Sequence, residues 1–303
     1  MEKLRGSFTA LVTPMTEDGA VDYESWRNLI RHQLEGGITG LVPLGTTGET
    51  PTLDENEEEV RMIGILMEEV RSFEKKQNRN IPVILGASSN NTKDAVVYVS
   101  RAKEAGADYA LVVTPYYNKP SDEGIYRHFE AVSRCGLPVI VYNIAGRTGK
   151  NISTDLLERI AALPNIAGVK EASGSMMQIM EVIERIARKR PDFSVLSGDD
   201  MLTLPAMAAG GDGVISVVSN LAPERVSALV NCLLDGDIAR ARELHYALAP
   251  MFRAAFVDGN PASIKYAMQR KGLLSGKLRL PLVEVHDKAK AVIEQAMRDC
   301  GLL

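Results

Sequence analysis

Residues 166–174 read IAGVKEASG, an apolar run that carries one lysine, Lys170, to its carboxyl end. An ammonium at the end of a buried strand is costly unless it finds a partner or sheds its proton, and a neutral amine can attack a carbonyl carbon. Two readings of Lys170 stand open from these residues alone: a side chain that snorkels out to pair with Glu171 or water, or a Schiff-base nucleophile. Other chemistry-bearing residues sit at the ends of neighbouring apolar runs. In GTTGE, 45–49, the glycines let backbone N–H groups approach a ligand, and the hydroxyls of Thr46 and Thr47 suit a carboxylate or a proton relay. The same five residues also read as a polar turn before a helix. Tyr116 and Tyr117 stand in TPYYNKP, and Tyr142 and Arg147 in YNIAGRTG. Taken singly, such tyrosines pack with a wet hydroxyl and such an arginine is a surface charge. Gathered at one mouth, they supply phenols for proton transfer and a planar fork that matches a carboxylate. Asp199 and Asp200 in SGDD open a helix, where N-capping is the stronger explanation. The four histidines, His32, His128, His245 and His286, fall outside these motifs, which argues against a histidine triad or a metal cluster. The parts that remain suit carbonyl chemistry on a keto acid.

What must position these residues is legible as alternation. Eight β-rich runs recur, at FTALVTP, ITGLVPLG, IPVILGAS, YALVVTPYY, PVIVYNI, IAGVKEA, FSVLSGDD and GVISVVSN. Between them lie segments of helical period, such as 57–73, where Val60, Ile63, Met67, Val70 and Phe73 recur every three or four residues behind a Thr52–Glu55 capping box. Nearly continuously apolar strands alternating with helices predict a parallel sheet buried on both faces, and eight such units favour a closed (β/α)8 TIM barrel over an open doubly wound sheet. In a barrel the active site forms at the carboxyl ends of the strands, where the unusual residues of this chain fall. The strand signal stops near Pro223, which predicts a catalytic barrel over 1–224 and a C-terminal helical region over 225–303. FEKKQNRN, from residue 73, reads as a solvated loop.

Composition narrows the classes. A chain of 303 residues suits one α/β barrel with an appendage, and a net charge of -4 offers no surplus of positive charge for nucleic acid. Three widely spaced cysteines, Cys135, Cys232 and Cys300, with no CxxC pair, point to a reducing compartment rather than to disulfides or zinc. The first residues lack a cleavage signal, and no stretch approaches the roughly 18 apolar residues of a membrane span. The expectation is a cytoplasmic protein that does not engage membranes.

From FTALVTP to LRLPL near residue 280, the order GTTGE, TPYYNKP, YN followed by GRTG, GVKEASG, SGDD and GVIS resembles the pyruvate-dependent class I aldolases of the dihydrodipicolinate synthase and N-acetylneuraminate lyase superfamily. Arg-Thr-Gly at 147–149 and the paired tyrosines are similar to the synthase branch, whose arginine at this place grips the carboxylate of aspartate semialdehyde. The resemblance implies an imine between Lys170 and pyruvate, no separate cofactor, and an enamine that attacks L-aspartate 4-semialdehyde on the way to lysine. It further implies that Tyr142 moves protons beside the imine, linked through Thr46 to Tyr117 from a neighbouring subunit of a homotetramer, a dimer of dimers. Thr47 would hold the pyruvate carboxylate, with Gly198 and Ile215 lining the pocket. An allosteric lysine site would fall on Thr50, Pro51, Glu55, Glu58, Asn90, Asp94 and Tyr116. Carboxylates at Glu55 and Glu58, where sensitive relatives tend to carry histidine, predict weak inhibition at most. Ala145 stands where many relatives have proline, which predicts a less rigid Arg147 loop. Competing readings are an aldolase or lyase of the same scaffold for a keto-deoxy sugar acid or N-acetylneuraminate, a metal aldolase using Glu49, Glu171, Asp199 and Asp200, and a catalytically silent homologue.

Overall fold

The computed structural model describes residues 2–303. Eight short strands run in chain order: β1 (Gly6–Ala10), β2 (Gly40–Val42), β3 (Ile84–Gly86), β4 (Tyr109–Val113), β5 (Val139–Asn143), β6 (Ile166–Glu171), β7 (Ser194–Ser197) and β8 (Gly213–Ser216). They form one sheet in the order β2-β1-β8-β7-β6-β5-β4-β3, with consecutive strands adjacent and β8 beside β1. That is the strand order of a (β/α)8 barrel, as expected from the alternation. Every residue of β1, β5, β6, β7 and β8 is buried, the small polar Ser7, Thr9, Ser194 and Ser197 included, which is why these strands read as nearly continuous apolar runs.

The helices are α1 (Tyr23–Glu35), α2 (Glu58–Gln77), α3 (Thr92–Glu104), α4 (Asp122–Ser133), the single turn α5 (Ala145–Thr148), α6 (Thr154–Ala161), α7 (Met176–Val182), α8 (Thr203–Ala208), α9 (Pro223–Leu234), α10 (Ile238–Ala254), α11 (Ala262–Arg270) and α12 (Asp287–Asp299). Side-chain caps start many of them: Asp22, Asn91, Ser121, Ser153, Ser175 and His286 each accept from backbone N–H groups of the first turn. His286 is therefore a cap.

Two sequence expectations fail at α2. The Thr52–Glu55 capping box does not form, because the Thr52 hydroxyl donates to the Glu49 carbonyl at 2.9 Å. The turn ahead of the helix is instead closed by Asp54, which accepts from the N–H groups of Asn56 and Glu57, while Glu58 accepts from that of Asp54. At the other end FEKKQ is not a loop. The helix continues to Gln77, with Lys75 and Lys76 facing its negative terminus, and stops where Asn78 turns left-handed at φ 49°.

The chain divides into two compact units. One comprises the residues up to Gly6 with Pro82–Ile215, and the other Ser7–Ile81 with Ser216–Leu303. Within the second unit, α1 packs on α2 and α9, and α10 on α9 and α12. Among the described residues no helix is long and apolar enough to cross a membrane.

Candidate active site

In the first unit, register brings the chemistry together. Parallel pairing of β5 with β6 sets Tyr142 beside Lys170, and the Lys170 Nζ lies 4.2 Å from the centre of the Tyr142 ring. Lys170 is only 6% exposed, so its ammonium is stripped of water, and the Arg147 guanidinium adds repulsion. Burial first and Arg147 second bring its pKa down to about 7, against a smaller upward pull from the Asp200 carboxylate. Much of this lysine is therefore a neutral amine near pH 7, the form that attacks a carbonyl. Burial pushes the Tyr142 phenol the other way, up to about 12, so it keeps its proton and can donate it. Asp200, read from sequence as a cap, is buried and acts on Lys170, while Asp199 accepts from the Met201 N–H as a cap does.

Gly198 lies against the lysine stem. A Cβ there would fall 3.1 Å from Lys170 Cε and 2.7 Å from Ala172 Cβ, so only glycine leaves this lysine its path. Ile215, in β8, is buried. Glu171 does not pair with Lys170. Successive residues of a strand point to opposite faces, and the Glu171 carboxylate accepts from Asn143 Nδ2, Gln178 Nε2 and the Ser173 N–H, the last at 2.7 Å.

The same amides close the loop that carries Arg147. Asn143 Oδ1 accepts from the Ile152 N–H at 3.0 Å, and Gln178 Nε2 donates to the Ile152 carbonyl at 2.8 Å. Inside the loop, the Thr148 hydroxyl lies within hydrogen-bond distance of the carbonyls of Ile144 and Lys150, and Gly149 closes the α5 turn at φ 71°. Side-chain clamps thus hold the loop that carries Ala145 and Arg147.

Tyr116 and Tyr117 behave differently from Tyr142. Tyr117 is 90% exposed and sits at φ 70°, a left-handed conformation costly for an aromatic residue, while Tyr116 is partly exposed. Asn118 ties this turn down by donating to the Asn90 carbonyl at 2.9 Å. Asp94 lies in the first turn of α3.

In the second unit, GTTGE forms a turn of 3-10 helix over Thr46–Gly48, with Thr46 exposed and Thr47 buried. Asn260 Nδ2 donates to Thr47 Oγ1 at 2.9 Å. Glu49, at φ 55°, forms a fully buried ion pair with Lys265 at 2.7 Å and accepts from the Arg279 backbone N–H. Of the other residues named for an effector site, Thr50 donates its hydroxyl to the Gly45 carbonyl, while Pro51 and Glu55 are exposed. Glu58 is gripped by both terminal nitrogens of Arg279, at 2.6 and 2.7 Å, so its charge is compensated within the chain. Sequence reasoning found the hydroxyls but missed Asn260, Lys265 and Arg279, whose partners lie more than two hundred residues away in the chain.

The chain is similar to known proteins along almost its whole length. The 4-hydroxy-tetrahydrodipicolinate synthase of Protochlamydia amoebophila is 46% identical over 297 residues, spanning 98% of this chain and 96% of that protein. The dihydrodipicolinate synthase structure from Thermotoga maritima superposes with a TM-score of 0.94 at 41% identity, over all of both chains. A chloride-inhibited dihydrodipicolinate synthase from Acinetobacter baumannii, solved with pyruvate, gives 0.93 at 36% identity, covering 99% of this chain and 100% of that one. The model of the dihydrodipicolinate synthetase family matches residues 3–299. With a lysine of lowered pKa beside a protonated phenol at the strand ends of a (β/α)8 barrel, and likeness along almost its whole length, the chain belongs to the dihydrodipicolinate synthetase family.

Proposed function

We propose that this chain is a 4-hydroxy-tetrahydrodipicolinate synthase, joining pyruvate to L-aspartate 4-semialdehyde through a Schiff base on Lys170. The observation that carries the reading is the buried Lys170 amine, its pKa near 7, lying over the Tyr142 ring. The neutral amine adds to the keto carbon of pyruvate, the carbinolamine takes a proton and loses water, and the imine forms. Loss of a methyl proton gives the enamine, whose carbon attacks the aldehyde. The amino group of the adduct then displaces Lys170 as the ring closes, returning the free lysine.

Tyr142 is assigned the proton transfers, supported by a phenol that burial keeps protonated. Thr46 and Tyr117 are assigned to the same relay, with Tyr117 acting in the site of a neighbouring copy. Its nearly complete exposure in its own chain supports that assignment. Thr47 is assigned to the pyruvate carboxylate, Arg147 to the carboxylate of the aldehyde substrate, and Gly198 and Ile215 to the pocket wall. The same reading makes the enzyme a cytoplasmic homotetramer with no separate cofactor, built as a barrel over 1–224 with a C-terminal helical region over 225–303. Arg147 favours the semialdehyde over a sugar aldehyde, because its planar fork matches a carboxylate. The test is turnover of pyruvate with aspartate semialdehyde, followed by coupled reduction of the product, against pyruvate with sugar aldehydes. The reading expects turnover with the semialdehyde alone, and preference for a sugar aldehyde would overturn it.

A further inference from the structure

We infer that Asn260 is a positioning residue for the Thr47 hydroxyl, giving the segment between α10 and α11 a part in pyruvate recognition. The inference rests on the assignment of Thr47 to the pyruvate carboxylate. A threonine hydroxyl has one proton to give and two lone pairs to accept with. The Asn260 amide, donating at 2.9 Å, occupies a lone pair of Thr47 Oγ1 and leaves the O–H for another acceptor. Both residues are buried, so water does not compete freely for either group. The direction of this one bond therefore decides whether Thr47 faces a substrate carboxylate as a donor.

The loop is also fixed around Thr47. One residue on, the Gly48 carbonyl accepts from the Thr13 hydroxyl at 2.6 Å. Two residues on, Glu49 pairs with Lys265, and both side chains have 0% exposure. Lys265 Nζ also donates to the Thr13 carbonyl at 2.9 Å. A buried ion pair is weak evidence for net stability, yet removal of one partner leaves an unpaired buried charge, so the pair holds this turn to one geometry. Asn260 and Lys265 flank the start of α11, and both reach GTTGE. Glu49, the residue that Lys265 holds, is left-handed, a strained conformation that this double attachment of the turn retains.

Asn260→Asp keeps the shape and reverses the bond, because a carboxylate only accepts and takes the Thr47 proton for itself. The measurement is the pyruvate concentration that gives half-maximal borohydride trapping of the purified full-length protein, with KM and kcat for both substrates. Asn260→Asp is expected to raise the pyruvate requirement roughly ten- to a hundredfold, the range for a hydrogen bond to a charged group, with the semialdehyde KM within about twofold of wild type. Asn260→Ala, which frees the hydroxyl without reversing it, is expected to fall between. In a Thr47→Val background Asn260→Ala should add no further shift, because the hydroxyl it acts through is gone. Should the Asp variant not fold, Asn260→Ala reads the same contact. Unchanged pyruvate requirements in both variants, or equal loss for both substrates, overturn the inference while trapping of the wild type keeps the Schiff-base reading. Absence of trapping in the wild type removes that reading and, with it, this inference.

Discussion

Burial of Lys170 makes a quantitative demand on its titration. A lysine left at its ordinary pKa of 10.5 is neutral in about one molecule in 3,000 at pH 7, whereas one held near 7 is neutral in about half. The pocket thus enlarges the reactive fraction by about three orders of magnitude, or roughly 5 kcal/mol of differential stabilisation between the two protonation states. Trace acetic anhydride acylates only neutral amines, so labelling of the Lys170 peptide in substrate-free protein, normalised to a free-amine standard, follows that fraction directly. The rate should reach a plateau above about pH 8, and at pH 6 it should be about one tenth of the plateau. The neighbouring charges set the signs for two variants. Asp200→Asn removes a carboxylate that favours the ammonium and should move the midpoint down, while Arg147→Gln removes a repelling guanidinium and should move it up. A rate that keeps climbing about tenfold per pH unit through pH 9 refutes the argument, as do shifts of the opposite sign.

Tyr142→Phe and Thr46→Val should each slow turnover by roughly 10²- to 10⁴-fold, the ordinary size of general acid–base catalysis, and wild-type turnover in both would remove the relay. Arg147→Ala should chiefly raise the KM for aspartate semialdehyde, by roughly ten- to a hundredfold, with trapping of pyruvate retained; an unchanged KM reopens the sugar-acid reading. Mixing inactive Tyr117→Phe and Lys170→Ala subunits should restore some activity, because a few sites then combine intact halves, and no recovery despite subunit exchange counts against a shared site. Lysine titrated into the assay should inhibit weakly. The reason is the pair of carboxylates, Glu55 and Glu58, at that place, the second of them held by Arg279, and strong cooperative inhibition at submillimolar lysine contradicts it.

The strands were legible because burial on both faces leaves a nearly continuous apolar run, and β6 stood out for a lysine inside such a run. Lys170, Tyr142 and Arg147 could be read for the same reason: polar groups at strand ends, in a fold whose topology places strand ends together. The start of α2 was misread because Thr52 and Glu55 match a capping spacing while the backbone there makes a 3-10 turn, leaving Asp54 to close the helix entrance. FEKKQ looked solvated and is, but a solvated stretch with lysines in the last turn suits a helix end as well as a loop. The Asn260–Thr47 and Lys265–Glu49 contacts span 213 and 216 positions, and no local pattern encodes such a pair. Asp200 follows a residue that does cap a turn, which hid its burial and its effect on Lys170.

Reduction with borohydride in the presence of pyruvate tests the central claim most directly, because it converts an imine into a stable secondary amine that survives digestion. Mass spectrometry of the digest should find the pyruvate-derived adduct on Lys170 and on no other lysine, with Lys170→Ala unlabelled. An adduct elsewhere, or none in protein that turns over substrate, would contradict the account.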